Sequence, residues 1–161
     1  GVDFSPHSVE DLIRAWGRHP QFAGGTTVGA PPVAFDRDFD VIVCCEVIEH
    51  LDQDAFDEIA AAFARHLRPG GKLYLTTPNA EDLSVQEVMC PDCGGVFHRW
   101  QHQRAWTARS LAAAFARHGF VDHRTETLIY GASWLRARVT THARRMLRQP
   151  LPNLCYLGTR L

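Results

Sequence analysis

The chain has 161 residues, 45% hydrophobic and 22% charged, with a formal net charge of -1. That suits one globular domain with a sizeable core, and no global basic field supports a nucleic-acid partner. The apolar runs are too short to span a bilayer and no signal peptide opens the chain. The five cysteines are odd in number and two adjoin in an apolar run, which argues against a secreted disulfide scaffold and for a reducing, cytoplasmic setting.

Residues 1–4, GVDF, read as the end of a strand, so the chain is expected to start part-way into its fold. Ser5-Pro6 is a good helix start, because the hydroxyl caps and proline fits the first turn. A helix is predicted over 6–16, with Val9, Leu12, Ile13 and Trp16 at helical spacing. Asp3 then stands at a strand's carboxyl end. It is either a carboxylate for ribose hydroxyls or a surface aspartate in a turn.

Residues 17–38 are rich in glycine and proline, with a short strand predicted over 26–30. The apolar run Val41, Ile42, Val43 reads as a strand buried on both faces, as in parallel sheets. Glu46, Glu49 and His50 follow it, where open α/β sheets bind ligands. Asp52 is the predicted cap of a helix with Phe56, Ile59, Ala60, Phe63 and Leu67 on one face, stopped by Pro69-Gly70-Gly71. Residues 72–77 form another strand, broken by Pro78-Asn79.

Residues 84–106 interrupt this rhythm as an insertion dense in cysteine, histidine and aromatics. Thr107 caps a helix that ends at Gly119. A strand over 121–129, a basic helix over 133–148 and a closing strand over 154–160 complete the chain, the two strands expected to pair as an antiparallel hairpin. The alternation predicts a single α/β domain over 1–161: a Rossmann-like, mostly parallel sheet with helices on both faces and an antiparallel C-terminal hairpin.

GVDFSP, FDVIVCCEVIEHL, HLRPGGKLYLTTPN, the helix ending in RHGF and the closing strand stand in the order and spacing of one family. The chain resembles a class I S-adenosylmethionine-dependent methyltransferase over nearly its whole length. The family's first strand and glycine-rich loop have no counterpart here, so the resemblance implies a domain truncated at its N-terminus. It implies cofactor contacts from Asp3, Phe4 and Ser5, and from Cys45, Glu46 and Val47 at the next strand end. It implies an insertion that shapes the pocket for a small-molecule acceptor.

Methyl transfer requires an aligned nucleophile and often a base. His50 is the candidate base, since an imidazole titrates near neutrality. The other reading of His50 is a residue opening a helix, satisfied by a backbone carbonyl. Glu46 and Glu49 beside it allow a divalent ion, magnesium or manganese, with a further histidine. That set, with His102, resembles the metal-dependent RNA 2′-O-methyltransferases, where the ion acidifies a terminal hydroxyl. Glu-x-x-Glu-His also occurs in family members without a metal.

Cys90, Cys93, His98 and His102 are spaced like a zinc knuckle, with Pro91, Gly94 and Gly95 supplying the turn. The alternative is a β-turn with two buried cysteines. A zinc-bearing module that no longer methylates is the non-enzymatic reading. The basic stretch with Arg136, Arg138, Arg144, Arg145 and Arg148 is either a solvated helix face or a contact for an anionic acceptor.

Overall fold

The computed structural model describes residues 1–27, 38–129, 144, 146, 147 and 151–161. These fall into two compact units, Gly1–Arg37 and Asp38–Leu161. No helix among the described residues is long and apolar enough to cross a membrane.

In the first unit, β1 (Val2–Asp3) pairs in parallel with β2 (Thr26–Thr27), and α1 (Pro6–Trp16) packs on both. The Ser5 hydroxyl accepts from the Ser8 N–H at 3.3 Å and Pro6 opens the helix, as its sequence demands. Val9 is the buried residue of α1. The predicted strand over 26–30 is described only at 26–27.

In the second unit, β3 (Phe39–Cys45) pairs in parallel with β4 (Leu67–Pro78). Strand β4 also pairs antiparallel with β8 (Asn153–Arg160), and β8 pairs antiparallel with β7 (Phe120–Leu128). The sheet order is therefore β3-β4-β8-β7. The expected closing hairpin is present, with parallel pairs at β1–β2 and β3–β4.

Helix α2 (Gln53–His66) is capped by Asp52, whose carboxylate accepts from the Ala55 N–H at 2.9 Å. It ends one residue before Leu67, which already belongs to β4. Phe39 pairs with Leu67 and Val41 with Lys72, so residues 68–71 bulge from the ladder. Gly70 takes a φ of +77° there, which a side chain would resist. Helix α3 (Ala108–Ala116) starts in a capping box formed by Thr107 and Ser110.

Both α2 and α3 contribute to one core. Phe56 and Ala60 from α2, and Leu111 and Phe115 from α3, are buried with Leu73, Leu75, Leu154 and Tyr156 of the sheet. Phe115 stacks on Tyr156 at 5.2 Å and meets Phe56 edge-on at 5.5 Å.

The expectation of a strand buried on both faces is corrected. Val41 is 52% exposed and Val43 63%, whereas Cys44 is buried. Strand residues alternate between faces, and β3 is the edge strand of this sheet. Cys44 pairs across to Leu75 on the helix-covered face, while Val43 pairs with the exposed Tyr74 on the other. A third β-ribbon, β5 (Glu87–Met89) with β6 (Val96–His98), lies antiparallel within the cysteine-histidine insertion.

Candidate active site

The chain after β3 turns sharply. Glu46 takes a left-handed φ of 51°, uncommon for a residue with a side chain, and donates its N–H to Thr76 O at 2.9 Å. A short 3-10 turn, Ile48–His50, follows. It turns Glu49 inward, where the side chain is 1% exposed, and leaves His50 half-buried.

Glu49 Oε2 accepts from the Thr77 hydroxyl at 2.9 Å. Its Oε1 is buried without a hydrogen-bond partner among the described residues and lies 3.9 Å from His50 Nε2. Burial pushes the Glu49 carboxyl above the ordinary range, against the opposing pull of its own backbone N–H and of Thr77. The His50 ring bonds no backbone carbonyl among the described residues.

The segment beyond β6 docks on this turn through its backbone. Gln103 and Arg104 donate their N–H groups to Glu49 O at 2.8 and 3.3 Å, and the Gln103 amide donates to His50 O at 2.8 Å. The docking sets the His102 ring edge-on to His50, with centroids 4.8 Å apart. Glu49, His50 and His102 each bring one ligand atom into a group whose members lie within 4.8 Å of one another. Glu46, expected in the same set, belongs to no such group.

His102 has a second set of neighbours. Asn79 bridges to Trp106 in parallel and Ala80 donates to Trp106 O at 2.6 Å, so the chain after β4 runs beside the insertion. Glu81 thereby meets both histidines: Oε2 lies 2.5 Å from His102 Nδ1 and Oε1 3.5 Å from His98 Nε2. Sequence reading missed Glu81 and Thr77. Their signal was position, since each stands at or just past the carboxyl end of a strand, where Glu49 was noticed.

Among the described residues, the four predicted zinc residues do not come together as one ligand group. Cys90 sits at the tip of the β5–β6 ribbon, where its N–H donates to Gly95 O, whereas His98 pairs with Glu87 three residues down the strand. His98 and His102 come together with Glu81 instead, and neither ligand group contains Cys90 or Cys93. The turn itself forms: backbone N–H groups of Cys93 and Asp92, then the Cys93 side chain, hold the Cys90 thiol below its ordinary range.

Of the insertion's aromatic residues, Trp106 packs in the core while Phe97 and Trp100 are exposed. Asp3 ends β1 and accepts from the Ser5 N–H at 2.8 Å, with Phe4 exposed between them. Cys45 is the exposed last residue of β3 and Val47 precedes the 3-10 turn. The basic stretch over 133–148 lies almost wholly outside the described residues.

The sequence profile of a methyltransferase domain matches residues 1–125. No curated protein matches the sequence. Solved structures do match. An S-adenosylmethionine-dependent methyltransferase from Clostridium acetobutylicum ATCC 824 is 15% identical with a TM-score of 0.64, over 99% of this chain and 73% of that one. The 1,6-didemethyltoxoflavin-N1-methyltransferase of Burkholderia thailandensis, bound to S-adenosylhomocysteine, is 17% identical with a TM-score of 0.59, over 99% and 59%. The N-methyltransferase NodS of Bradyrhizobium japonicum WM9, also with S-adenosylhomocysteine, is 15% identical with a TM-score of 0.56, over 99% and 64%. At these identities the likeness is one of fold, and the chain spans between 59 and 73% of the length of these three.

Proposed function

The chain belongs to the methyltransferase-domain family, and from that premise we propose that it moves a methyl group from S-adenosylmethionine to an oxygen of a small or medium-sized acceptor, with His50 as base. The observation that carries this reading is the meeting of Glu49, His50 and His102 beyond the ends of β3 and β4. The Burkholderia and Bradyrhizobium structures hold S-adenosylhomocysteine, which is what remains of that methyl donor after transfer, and this supports the cofactor. Both are N-methyltransferases, so the lean toward oxygen rests on chemistry. A neutral amine attacks with its own lone pair, whereas a hydroxyl must lose a proton, and a base meets that need.

The residues present supply part of a cofactor site. Asp3 Oδ1 is taken by Ser5, and its second oxygen makes no hydrogen bond among the described residues, so it remains for ribose hydroxyls. Within the first unit Asp3, Phe4 and Ser5, and within the second Cys45, Glu46 and Val47, are the contacts that the family resemblance gives the cofactor. When bound, it supplies a methyl activated on a sulfonium. His50 takes the acceptor's proton at its ring nitrogen. Glu49 Oε1, 3.9 Å away, favours the imidazolium that results. Glu49 is held in turn by Thr77. A reducing, cytoplasmic setting belongs to the same reading, since unpaired thiols such as the exposed Cys45 and Cys93 persist there.

One observation favours a second reading, in which a divalent ion assists. Glu49 Oε1 is buried without a partner among the described residues and is the carboxylate of a group with two imidazoles. Such a donor set suits manganese better than magnesium, and an ion there would acidify a hydroxyl, as at an RNA 3′ terminus. Zinc at this group would be compatible with the same donors.

The test measures S-adenosylmethionine binding by calorimetry, then methyl transfer to hydroxyl-bearing acceptors, including short RNAs, with and without a chelator. The expected result is binding by both wild type and His50→Ala, with turnover lowered about 10²- to 10⁴-fold in the variant. Turnover abolished by the chelator and restored by manganese would select the second reading. Absence of cofactor binding, by this chain and by one that also carries the family's glycine-rich strand, would overturn both.

A further inference from the structure

Glu81 and His98 take no part in the chemistry above, yet their side chains are only 20% and 6% exposed. We propose that Glu81, with His98 behind it, is a positioning residue that locks the tautomer of His102 and leaves Nε2 as the nitrogen with the lone pair. This deepens the function proposed for the Glu49–His50–His102 group and rests on it.

A neutral imidazole has one donor nitrogen and one acceptor nitrogen. The backbone N–H of His102 donates to His98 Nδ1 at 3.1 Å, so Nδ1 is the acceptor and the ring proton of His98 sits on Nε2. That nitrogen faces Glu81 Oε1 at 3.5 Å. The other carboxylate oxygen lies 2.5 Å from His102 Nδ1. A carboxylate only accepts, so a contact this short requires the proton of His102 on Nδ1. His102 Nε2 is then bare. It is the nitrogen left for a proton or an ion shared with His50 and Glu49.

The packing supports the same conclusion. The rings of His98 and His102 stack at 4.7 Å and 24°, and the His102 side chain is 10% exposed. Hydrogen bonds to a carboxylate are stronger in such a low-dielectric setting than in water.

The cluster also invites a rival reading. Glu81, His98 and His102 place ligand atoms within 4.8 Å of one another, as a metal site would. The proton count argues against it. His98 presents N–H rather than a lone pair to that space, and freeing the lone pair would break its bond with His102 N–H. A carboxylate behind a working histidine fixes its ring and raises its basicity, and loss of such a partner commonly lowers activity 10- to 100-fold.

The experiment reads the tautomer directly. Two-bond proton–nitrogen correlation of the histidine rings is recorded on the ¹⁵N-labelled chain at about pH 8, above the ordinary imidazole range. The His98 and His102 signals are assigned by substitution. The expected spectrum shows His102 protonated on Nδ1 alone and His98 on Nε2 alone. Glu81→Ala should move His102 toward the Nε2–H form, whereas Glu81→Gln should retain the Nδ1–H form because the amide oxygen accepts.

A wild-type His102 protonated on Nε2, or a His98 with bare Nε2, would overturn the proposal. Should Glu81→Ala not fold, as judged by circular dichroism, the wild-type and Glu81→Gln spectra still decide. Turnover separates the two layers of inference. A kcat lowered about 10- to 100-fold in Glu81→Ala, with cofactor binding unchanged, supports both. A locked tautomer with unaltered kcat supports the lock and overturns the placement of methyl transfer at this group.

Discussion

The Thr77 hydroxyl donates to Glu49 Oε2 at 2.9 Å, joining the end of β4 to the turn that follows β3. Thr77 is fully buried and Glu49 is 1% exposed, so water replaces neither partner. Thr77→Val keeps the shape and removes the hydroxyl that donates to Glu49 Oε2. It should lower stability by about 1–3 kcal/mol, read as a shift in the urea midpoint. An unchanged midpoint would mean that Glu49 is already relieved by another group.

Glu49 also predicts a pH dependence. Its folded pKa is raised, chiefly by burial, so its stabilising contribution is complete below the unfolded value of about 4.3. That contribution is lost as pH rises through the folded value. With a chelator present, wild type should therefore lose stability relative to Glu49→Gln as pH climbs from about 4 toward neutrality. Parallel curves for the two proteins would contradict the buried acid described here.

The helix pair has a carboxylate of opposite behaviour. Asp57 on α2 accepts from Gln53 at 2.7 Å and meets His118 Nε2, beyond α3, at 2.9 Å. These two contacts, Gln53 foremost, hold its carboxyl below the usual range. The resulting stability is present above the unfolded value of about 3.9 and lost as pH falls through the lower folded value. The stability difference between wild type and Asp57→Asn should shrink on acidification from about pH 5 to pH 3. Thermal melts across that window would detect it.

The cysteines should separate by reactivity. Burial, then the neighbouring Cys45, Glu49 and Glu46 charges, push the Cys44 thiol up to about 12. Cys90 is held low by backbone N–H groups on an exposed ribbon tip. Limited alkylation of the native chain, followed by peptide mass spectrometry, should modify Cys90 well before Cys44, because only the thiolate reacts. Equal rates would show that the β3 core opens readily.

Helix α3 depends on its first turn. The Thr107 hydroxyl accepts from the Ser110 N–H at 3.1 Å, and Ser110 Oγ accepts from the Thr107 N–H at 2.9 Å. Thr107→Ala should cost about 1 kcal/mol in urea unfolding, because this helix carries Leu111 and Phe115 into the core. Thr107→Ser should restore most of it.

The helix starts were legible in the sequence because caps are local. Ser5, Asp52 and Thr107 each satisfy an N–H three positions onward, and α1, α2 and α3 begin where these residues stand. The strands over 41–45, 72–77, 121–128 and 154–160 were legible by their β-branched and aromatic runs, but the start of β4 was not, since Leu67, expected on the helix, is already strand. The face each strand buries was not. Val41 and Val43 look identical to core residues until the face they share with Tyr74 is found exposed.

The sequence by itself determined the α/β alternation and the family, and it nominated Glu49, His50 and His102 as candidates, because those signals lie in short runs and fixed spacings. Only the tertiary structure decided which residues share a site. Cys90 and His98 are eight positions apart, yet the ribbon register separates them. Glu81 and His102 are 21 positions apart, yet they touch at 2.5 Å. Strand pairing and the docking of one loop on another set those distances, and neither is encoded by local spacing.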